Sequence, residues 1–557
     1  MKSHDVLRSF FHENGVDTVF SLISDGTKKL LAKLAKDDGI RVIEARHEQN
    51  AMAMADGYAR ATGDIGVCVV GRGPGIAQTG TSLVTSTKRG TKLLVLVPES
   101  PLRTDYDNKE FDQEAFLEAT VEDVVSIRST DLLARRVASV FKRLERGESP
   151  IAVQIPWDLM NADYDPGRDW DPSTYFQASV DRGSRLQPTD EAVEAAIDHY
   201  LDSDASIPPL ILAGRGAYLS GATDAIKDLA SRTGAMLATT LQGRGMFANH
   251  PYAIGFVGTF GSNLANDYFN QSDFVLAVGC SLNPHTTDDG RFLEDSTVVH
   301  IDTDPTNIER HATVDHGIHG DARETIRAME RELAALEMDF SDKFWTDKRQ
   351  ENIASTSALD EREFPVTQNR IDPRDLVREL DDIIPDDRLV VTDGGHFVNF
   401  VLDGISVATP RDFVWSLDFA SIGQGVPMGI GTAAADDDRA CITFCGDAGF
   451  MMTTQELNTM ARENLPVRLI VMNDELLGSE YHQLDLAGEN AAAAKLATPD
   501  LADIAREFGV DGYTVRSVDD LKSISDKLSK KPNGPSLVDC KIDPEVRHRF
   551  YQDLHGF

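Results

Sequence analysis

The sequence predicts an α/β protein built from three doubly wound parallel-sheet domains, and three observations support this prediction. Short apolar segments alternate with helix-like segments through most of the 557 residues, a pattern typical of parallel sheets with helices on both faces. The chain is too long for a single hydrophobic core. Two polar, weakly periodic stretches, residues 160–188 and 337–371, are predicted to be linkers between the domains.

The apolar segments follow one another in the order that this fold class requires. The N-terminal part begins with an amphipathic helix and a strand, and continues with strands at residues 66–70, 92–97 and 151–155. The middle part gives a strand near residue 210, a glycine-rich turn, a helix and further strands. The glycines of its AGRGAYLSG segment do not match a dinucleotide-binding fingerprint, so a structural role is favoured over cofactor binding.

Acidic residues dominate the charge of the chain. The 91 Asp and Glu residues outnumber the 55 Lys and Arg residues, which gives a formal net charge of −36 and a pI near 4.7. This charge argues against nucleic acid and anionic membranes as partners. The acidic residues are spread through a chain that keeps 41% hydrophobic residues, which favours a folded protein over a disordered one. We therefore expect an acidic surface of the kind found in salt-adapted organisms.

The cysteines and the N-terminus indicate an intracellular setting. The five cysteines mostly lie in or beside apolar strand-like segments without metal-ligand spacing, and they are predicted to be buried and reduced. The N-terminus lacks a signal-peptide core, and no apolar run approaches the ~20 residues of a membrane span. The sequence thus predicts a soluble, cytoplasmic protein.

Two apolar segments of the C-terminal part lead to acidic residues. The segment ACITFC is followed by GDAGF at residues 446–450, and VRLIV is followed closely by Asp474. In an open α/β sheet ligands bind at the carboxyl ends of the strands, so Asp447 and Asp474 are predicted to face one crevice. Two carboxylates and a loop carbonyl supply the oxygen ligands that Mg²⁺ prefers. The alternative is that Asp447 caps the following helix and Asp474 belongs to an ordinary Asn-Asp turn.

Gly-Asp-x-x-Phe followed one crossover later by Asn-Asp-x-x-x-Gly resembles the cofactor motif of thiamine diphosphate enzymes. The chain is similar in particular to the superfamily of acetolactate synthase, pyruvate oxidase and benzoylformate decarboxylase. The resemblance implies thiamine diphosphate and Mg²⁺ as cofactors, with Asp447, Asp474 and the carbonyl of Leu476 as metal ligands. The family more often has Asn at the second position, so Asp474 adds a negative charge beside the diphosphate. Asn473 is the alternative register.

A second match is ARHEQNAMAMADGYARATG at residues 45–63, whose small residues make a helix that can pack closely. Taken alone, Glu48 at the helix start would be a capping or solvent-facing residue. In the family pattern it aligns with the catalytic glutamate. That carboxyl hydrogen-bonds to N1′ of the cofactor's pyrimidine and favours the imino form, whose nitrogen takes the proton from C2 of the thiazolium.

Further segments resemble cofactor-binding turns. SLDFASIGQGVPMGIGTAAA at residues 416–435 places Ile422 where the family has a large aliphatic residue that bends the cofactor; the alternative is a core residue. Gln113 resembles a glutamine that reaches the cofactor cleft, the alternative being a solvated loop residue. The turns TDGGHF and GRGPGIAQ let backbone N–H groups approach the anionic cofactor. The other implied cofactor contacts are Gly73, Pro74, Gly75, Gly395, His396, Ala420, Gly446 and Ala448.

The resemblance covers nearly the whole chain and implies three domains. These are a pyrimidine-binding domain at residues 1–165 with the catalytic glutamate, a middle Rossmann-like domain at 185–336, and a diphosphate- and Mg²⁺-binding domain at 370–557. In this family the two cofactor-binding domains meet across a subunit interface, so a homodimer or homotetramer is implied. Some relatives hold FAD in the middle domain, but GFVGTFGSN at residues 255–263 is too generic to predict it here.

The resemblance also implies an enzyme that acts on a small 2-oxo acid. The C2 ylide attacks the oxo acid, CO₂ is lost, and the enamine is protonated or ligated, with His285 handling substrate protons. His285 falls where certain decarboxylases have a histidine and acetolactate synthases an arginine; a surface loop residue is its alternative. The alternative reaction is the acetolactate synthase type, which joins two 2-oxo acids, with Arg72 as a carboxylate contact. A noncatalytic homologue is the third alternative, and the retained Glu48, Asp447 and Ile422 argue against it.

Overall fold

The computed structural model describes residues 1–165, 170–176, 185–203, 206–359, 361–365, 367–436 and 438–553. It contains three six-stranded sheets built from parallel strand pairs, so the predicted fold class is confirmed. The chain forms two compact units. The first unit consists of Met1–Val180, Phe364–Val398 and Val414–Arg547; the second consists of Asp181–Glu363, Asn399–Phe413 and His548–Phe557.

The first sheet is formed by the N-terminal part of the chain. Its strands are β1 (Thr18–Ser21), β2 (Arg41–Glu44), β3 (Gly66–Val69), β4 (Leu93–Glu99), β5 (Asp123–Ser126) and β6 (Ile151–Pro156), in the order β2-β1-β3-β4-β6-β5. Its helices are α1 (Ser3–Glu13), α2 (Lys28–Leu34), α3 (Glu48–Thr62), α4 (Pro74–Ala77), α5 (Gly80–Arg89), α6 (Gln113–Glu118), α7 (Thr130–Glu145) and α8 (Trp157–Met160). The predicted opening helix and strand are thus confirmed, as are the three predicted strands.

The second sheet is formed by the middle of the chain. Its strands are β7 (Leu210–Ala213), β8 (Met236–Thr239), β9 (Ala253–Phe256), β10 (Phe274–Val278), β11 (Thr297–Asp302) and β12 (His316–His319), in the order β12-β11-β10-β7-β8-β9. The helices are α9 (Asp190–Asp202), α10 (Arg215–Leu219), α11 (Thr223–Thr233), α12 (Asn263–Gln271), α13 (Pro284–Thr287), α14 (Ala322–Ala335), α15 (Ser341–Phe344) and α16 (Asp347–Ser355).

The strand order of the second sheet reverses between β7 and β10. In folds of this kind nucleotides bind in the crevice at such a reversal. Here main-chain atoms fill that crevice. Gly214 and Gly216 donate hydrogen bonds to the carbonyls of Val278 and Gly279, each at 2.9 Å. A Cβ at position 214 would lie 2.3 Å from the Gly279 carbonyl oxygen. The glycines of AGRGAYLSG therefore serve backbone packing at this point.

The third sheet is formed by the C-terminal part. Its strands are β13 (Arg388–Thr392), β14 (Phe413–Trp415), β15 (Ala440–Gly446), β16 (Val467–Asn473), β17 (Asp511–Val515) and β18 (Ser536–Lys541), in the order β14-β13-β15-β16-β18-β17. The helices of this part of the chain are α17 (Pro373–Ile383), α18 (Val398–Gly404), α19 (Gly425–Ala435), α20 (Asp447–Met451), α21 (Leu457–Glu463), α22 (Gly478–Leu486), α23 (Leu501–Glu507), α24 (Val518–Ser523), α25 (Ser525–Leu528) and α26 (Phe550–Asp553).

The two predicted linkers are more structured than the sequence indicated. In the first, Trp170 and Tyr175 pack edge-on against Phe10, with ring centroids 6.0 and 5.6 Å away; residues 166–169 and 177–184 of this stretch lie outside the described residues. The second contains α15 and α16, and Trp345 between them stacks on Tyr252 at 4.5 Å. Polar composition concealed these segments, because each is anchored by a few aromatic side chains and not by a periodic apolar face.

Within the first unit, α3 and α19 touch through their backbones. A Cβ at position 57 would lie 2.2 Å from the Met428 carbonyl oxygen, and one at position 431 would lie 1.8 Å from the Met54 carbonyl oxygen. Only glycine permits this approach at these two positions. The contact joins the helix that begins at Glu48 to the helix that follows the Ile422 turn.

The five cysteines are buried and unpaired, as predicted. No helix within the described ranges combines the length and the apolarity that crossing a bilayer demands.

Candidate functional site

Asp447 and Asp474 lie at one edge of the third sheet. Asp447 begins α20 directly after β15, and Asp474 directly follows β16. The two strands are neighbours, with Gly446 opposite Met472 in the register. Both side chains are buried, Asp447 at 1% and Asp474 at 7% exposure. The strand ends thus bring the two predicted metal ligands to the same end of the sheet, close enough for their charges to interact.

The electrostatics of this pair fit a divalent cation. Burial raises the pKa of Asp447 to about 6, although Thr498 donates a hydrogen bond to its carboxylate at 2.5 Å. Burial and the neighbouring charge of Asp447 raise the pKa of Asp474 well above its ordinary value. Two buried carboxylates that repel each other are costly unless a cation compensates them. Their oxygen donors match the chemistry of Mg²⁺.

The loop after β16 forms a turn with one unfavourable backbone conformation, and an arginine from another part of the chain holds this turn. Asp474 Oδ1 accepts a hydrogen bond from the backbone N–H of Leu476 at 2.9 Å, so the Asn-Asp turn proposed as an alternative is present. Glu475 has a φ of 61°, an unfavourable value for a residue with a side chain. Arg370 holds this turn, donating to the Asn473 carbonyl at 3.1 Å and pairing with Glu475 at 2.7 Å. The turn leaves Leu476 buried beside Asp474.

The Asn473 side chain has a different partner. Its amide donates a hydrogen bond to Asp539 Oδ1 at 2.9 Å, and both residues are fully buried. Asp539 also accepts from the backbone N–H of Leu501 and pairs with Lys541 at 2.8 Å. The amide nitrogen of Asn473 is therefore held within the sheet by Asp539, while its Oδ1 is buried and accepts no hydrogen bond from the described residues. Asp474 stays the predicted ligand, with Asn473 as the alternative register.

The TDGGHF turn after β13 is tied to the Ile422 turn. Asp393 is fully buried, and burial raises its pKa. Its carboxylate accepts a hydrogen bond from the backbone N–H of Gly423 at 2.8 Å. Gly395 has a φ of 137°, a backbone conformation that favours glycine. His396, beside it, is buried and its ring lies 4.2 Å from that of His482, centroid to centroid.

Ile422 lies on a turn that contains two residues with positive φ. Ala420 has a φ of 54° and is exposed, and Gly423 has a φ of 82°. The Ile422 side chain between them is only partly buried. A partly buried side chain is compatible both with packing against its neighbours and with contact to a ligand, so the cofactor-bending role of Ile422 stays a prediction.

Glu48 lies at the first position of α3. The preceding His47 caps the helix, its Nδ1 accepting a hydrogen bond from the backbone N–H of Gln49 at 3.2 Å. Glu48 is partly buried, and the Gly-Pro-Gly turn lies against it: a Cβ at position 75 would be 3.4 Å from Glu48 Oε1. Burial, together with the charge of Glu48, raises the pKa of the Cys68 thiol behind it.

Gln113 is buried and hydrogen-bonded, so the solvated-loop alternative is wrong. Its amide donates to the Pro98 carbonyl at 3.1 Å and to Gln154 Oε1 at 2.7 Å. Its carbonyl oxygen accepts from the backbone N–H of Gly73, next to Pro74, at 3.3 Å. Gln113 thus holds the Gly-Pro-Gly turn in place.

A cavity of about 590 Å³ lies beside this turn, lined in part by Arg72, Gln113 and Lys109. Arg72 pairs there with Asp107 at 2.8 Å and with Asp25 at 3.3 Å. A substrate carboxylate that binds Arg72 has to compete with these two acidic side chains.

His285 belongs to the second unit. It lies on the short helix α13, where its side chain is exposed and its carbonyl oxygen accepts a hydrogen bond from the backbone N–H of Thr259 at 2.7 Å. Its catalytic role stays a prediction.

Comparison with known proteins agrees with this arrangement. Three family models match the chain: the N-terminal TPP binding domain of thiamine pyrophosphate enzymes over residues 1–120, their central domain over residues 204–329, and their C-terminal TPP binding domain over residues 393–540. Thiamine pyrophosphate is another name for thiamine diphosphate.

The chain belongs to the thiamine diphosphate-dependent enzymes. The family resemblance noted in the sequence is thereby confirmed. Similar proteins include a probable acetolactate synthase large subunit of Methanococcus aeolicus, 29% identical over 90% of this chain and 85% of the relative. An acetolactate synthase of Arthrospira platensis is 30% identical over 89% and 86%. A sulfoacetaldehyde acetyltransferase of Alcaligenes xylosoxydans xylosoxydans is 26% identical over 97% and 93%.

Several side chains that hold the predicted site residues were missed from the sequence. Arg370, Asp393 and Asp539 hold the turns that carry the predicted ligands, and Thr498 holds Asp447. Asp393 stands in the TDGGHF motif and could have been noticed there, but its partner Gly423 is 30 residues away in the sequence, so the contact itself could not be predicted. Arg370, Thr498 and Asp539 stand outside the motifs and carry no local signal.

Proposed function

We propose that the protein is a thiamine diphosphate- and Mg²⁺-dependent enzyme that decarboxylates a small 2-oxo acid and either releases the product as an aldehyde or joins it to an acceptor. One observation carries the proposal: the buried, mutually repelling pair Asp447 and Asp474 stands at the carboxyl ends of neighbouring strands in a chain of this family. The family models support the cofactor, and the chemistry of the acid pair supports Mg²⁺.

Each residue has a defined role in this proposal. Asp447, Asp474 and the carbonyl of Leu476 hold Mg²⁺, while Gly395, His396, Gly446 and Ala448 surround the diphosphate. The turn from Gly73 to Gly75 and the segment from Ala420 to Ile422 face the rest of the cofactor, with Ile422 supporting its bent shape. Glu48 shares a proton with the pyrimidine N1′. When bound, thiamine diphosphate would supply a carbon nucleophile for the carbonyl of the oxo acid and a positively charged ring that takes up the electron pair left behind when CO₂ departs.

The acetolactate synthase-type reaction is the second candidate, and the named relatives favour it. In that reaction a second 2-oxo acid is the acceptor, and its carboxylate needs a cation. Arg72 lies in the cavity beside the Gly-Pro-Gly turn and is proposed for this contact. His285 is proposed as the proton donor in simple decarboxylation.

The proposal includes a homodimer or homotetramer whose active sites form between subunits. Apolar side chains next to the predicted cofactor contacts support it: Phe419 is 43%, Met451 44% and Met452 55% exposed. Such side chains close to a site favour burial against a second copy. We propose the domain limits 1–165, 185–336 and 370–557, a strongly acidic, salt-adapted surface, and a cytoplasmic location consistent with five unpaired, buried cysteines.

The experiment is product analysis by NMR on enzyme purified in high salt and incubated with Mg²⁺, thiamine diphosphate and a panel of 2-oxo acids. An aldehyde from one oxo acid supports decarboxylation, and a 2-hydroxy-2-alkyl-3-oxo acid supports the acetolactate synthase type. Glu48→Gln is the control, because its amide cannot share the proton with N1′, and turnover should fall by about 10²-fold or more. Turnover unaffected by Glu48→Gln would contradict the proposed mechanism.

A further inference from the structure

A fully buried carboxylate holds the start of α3 from another part of the same unit. Glu456 is 0% exposed and ends a short 3₁₀ helix that leads into α21. Its Oε1 accepts hydrogen bonds from the backbone N–H of Arg46 at 2.9 Å and from the side-chain amide of Asn50 at 2.8 Å. Its Oε2 accepts from the Thr459 hydroxyl at 2.6 Å. Three donors thus satisfy this buried carboxylate.

Two of these donors, the Arg46 backbone N–H and the Asn50 side-chain amide, lie on either side of Glu48 in the sequence. Arg46 precedes the helix, Asn50 lies in its first turn, and Glu48 is midway between them. Both bonds end on the same oxygen of Glu456. Because the main chain at 46 and the side chain at 50 are tied to one point, the backbone that carries Glu48 has little freedom to rotate or shift.

Two neighbouring contacts make α21 a continuous support for this loop. Arg462 donates a hydrogen bond to the Glu44 carbonyl, and the Thr459 hydroxyl, whose proton is directed to Glu456, lies 3.4 Å from the same carbonyl oxygen. The segment from β2 to the first turn of α3 therefore rests on α21. The negative charge of Glu456 also lies at the N-terminus of α3, where the helix dipole favours it.

We propose that Glu456 is a positioning residue that fixes the direction of the Glu48 carboxyl, and so sets how well Glu48 activates the cofactor. This inference rests on the proposed function of Glu48. A displacement of a catalytic group by about 1 Å lowers rates by about 10²-fold, so a residue that only holds Glu48 can have a large effect without touching cofactor or substrate. Glu456 lies nine residues after Asp447, but its hydrogen bonds go to Arg46, Asn50 and Thr459 and not to the proposed metal ligands.

The test compares Glu456→Ala, Glu456→Gln and Asn50→Ala with wild type and with Glu48→Gln. The main readout is the exchange rate of the thiazolium C2 proton of bound thiamine diphosphate, measured by NMR after acid quench. The second readout is amide hydrogen exchange of residues 44–50 in the cofactor-free protein. Cofactor Kd and Tm are measured for every variant. Glu507→Ala is the control for loss of a carboxylate, since Glu507 is an exposed residue at the end of α23.

We expect Glu456→Ala to lower C2 exchange by about tenfold or more, towards the Glu48→Gln rate, and Asn50→Ala by about threefold to tenfold. Glu456→Gln keeps an acceptor oxygen and should stay within about threefold of wild type, because the Thr459 hydroxyl can turn to accept from the new amide. Amide exchange over residues 44–50 should rise in Glu456→Ala. Cofactor Kd should change by less than about threefold, because the diphosphate and metal contacts are untouched.

The inference is overturned if the C2 exchange rate of Glu456→Ala stays within about twofold of the wild-type rate. It is also overturned if the decrease in the C2 exchange rate is accompanied by an equal decrease in cofactor affinity. If Glu456→Ala does not fold, Asn50→Ala decides: lowered exchange at normal Kd supports the inference, and wild-type exchange overturns it. If Glu48→Gln itself leaves C2 exchange unchanged, the proposed function fails and the inference falls with it. If Glu456→Ala exchanges the C2 proton at the wild-type rate while Glu48→Gln exchanges it slowly, only the positioning role of Glu456 is rejected.

Discussion

The Asp393 carboxylate accepts a hydrogen bond from the backbone N–H of Gly423 at 2.8 Å, across 30 residues of chain. A single buried acid thereby joins the TDGGHF turn to the turn that carries Ile422. The hydroxyl of Ser416 adds a weaker contact at 3.4 Å. This bond thus fixes, relative to each other, the two turns that are proposed to hold opposite parts of thiamine diphosphate.

Replacing Asp393 by Ala should weaken thiamine diphosphate binding by about tenfold to a hundredfold, because buried backbone N–H groups would lose their acceptor at about 1–3 kcal/mol each. Isothermal titration calorimetry in the presence of Mg²⁺ measures this. Ser416→Ala is the control and should change the Kd by less than about threefold, since it removes one long contact. Equal Kd values for Asp393→Ala and wild type would show that the turns hold their shape without this acid.

Asp447 and Asp474 should differ in how far they tolerate replacement. Asp447→Ala removes a proposed Mg²⁺ ligand and should abolish Mg²⁺-dependent binding of thiamine diphosphate. Asp474→Asn keeps an oxygen donor and lowers the repulsion between two buried acids, so binding should persist. Cofactor binding titrated against Mg²⁺ and reversed with EDTA distinguishes the two. Loss of binding in both variants would mean that the second negative charge, and not only its oxygen, is required.

His482 should make the protein less stable in acid. Burial and the neighbouring Arg547 lower its pKa to about 4, while Asp485 acts in the opposite direction. In the unfolded chain His482 takes up a proton near pH 6.5, whereas in the folded chain it does so only near pH 4. Between these two pH values protonation favours the unfolded chain, so the free energy of unfolding decreases as the pH falls from about 6.5 to about 4. The loss amounts to about 3 kcal/mol at most.

Denaturant unfolding of wild type and His482→Gln across that pH range measures this contribution. The variant lacks the titrating ring, so its free energy of unfolding should fall less steeply between pH 6.5 and pH 4. Parallel curves for the two proteins would exclude His482 as a source of the acid sensitivity.

Gly57→Ala and Gly431→Ala should each destabilise the protein by about 2–4 kcal/mol, since the added methyl group meets a backbone carbonyl that cannot move aside. Gly80→Ala is the matched control. Its Cβ would lie 3.5 Å from the Phe116 ring, an ordinary contact, at the start of α5. That change should be neutral or slightly stabilising, as Ala is the better helix former. Tm values for the three variants check the contrast.

The sequence predicted the residues that belong to short motifs but not the residues that hold them. Asp447 and Asp474 could be placed because parallel strands bring their carboxyl ends to one edge. Glu456 could not, because its partners at positions 46 and 50 are about 400 residues away in the sequence and meet it only within the folded first unit. Gln113 was recognised, yet its burial depended on Gln154, which gives no local signal. The polar second linker concealed α15 and α16 for a similar reason: Trp345 anchors it through Tyr252, a contact made only in the fold.

The glycine-to-backbone contact of α3 with α19 has a consequence for motion. Two helices that touch at their main chains have no side-chain layer between them that could yield, so a sliding movement of one requires the other to follow. Glu48 at the start of α3 and Ile422 just before α19 are therefore carried by a single stiff body. Local unfolding in the first unit should therefore involve both helices in one cooperative step, and the amide protons of α3 and α19 should exchange at a common rate.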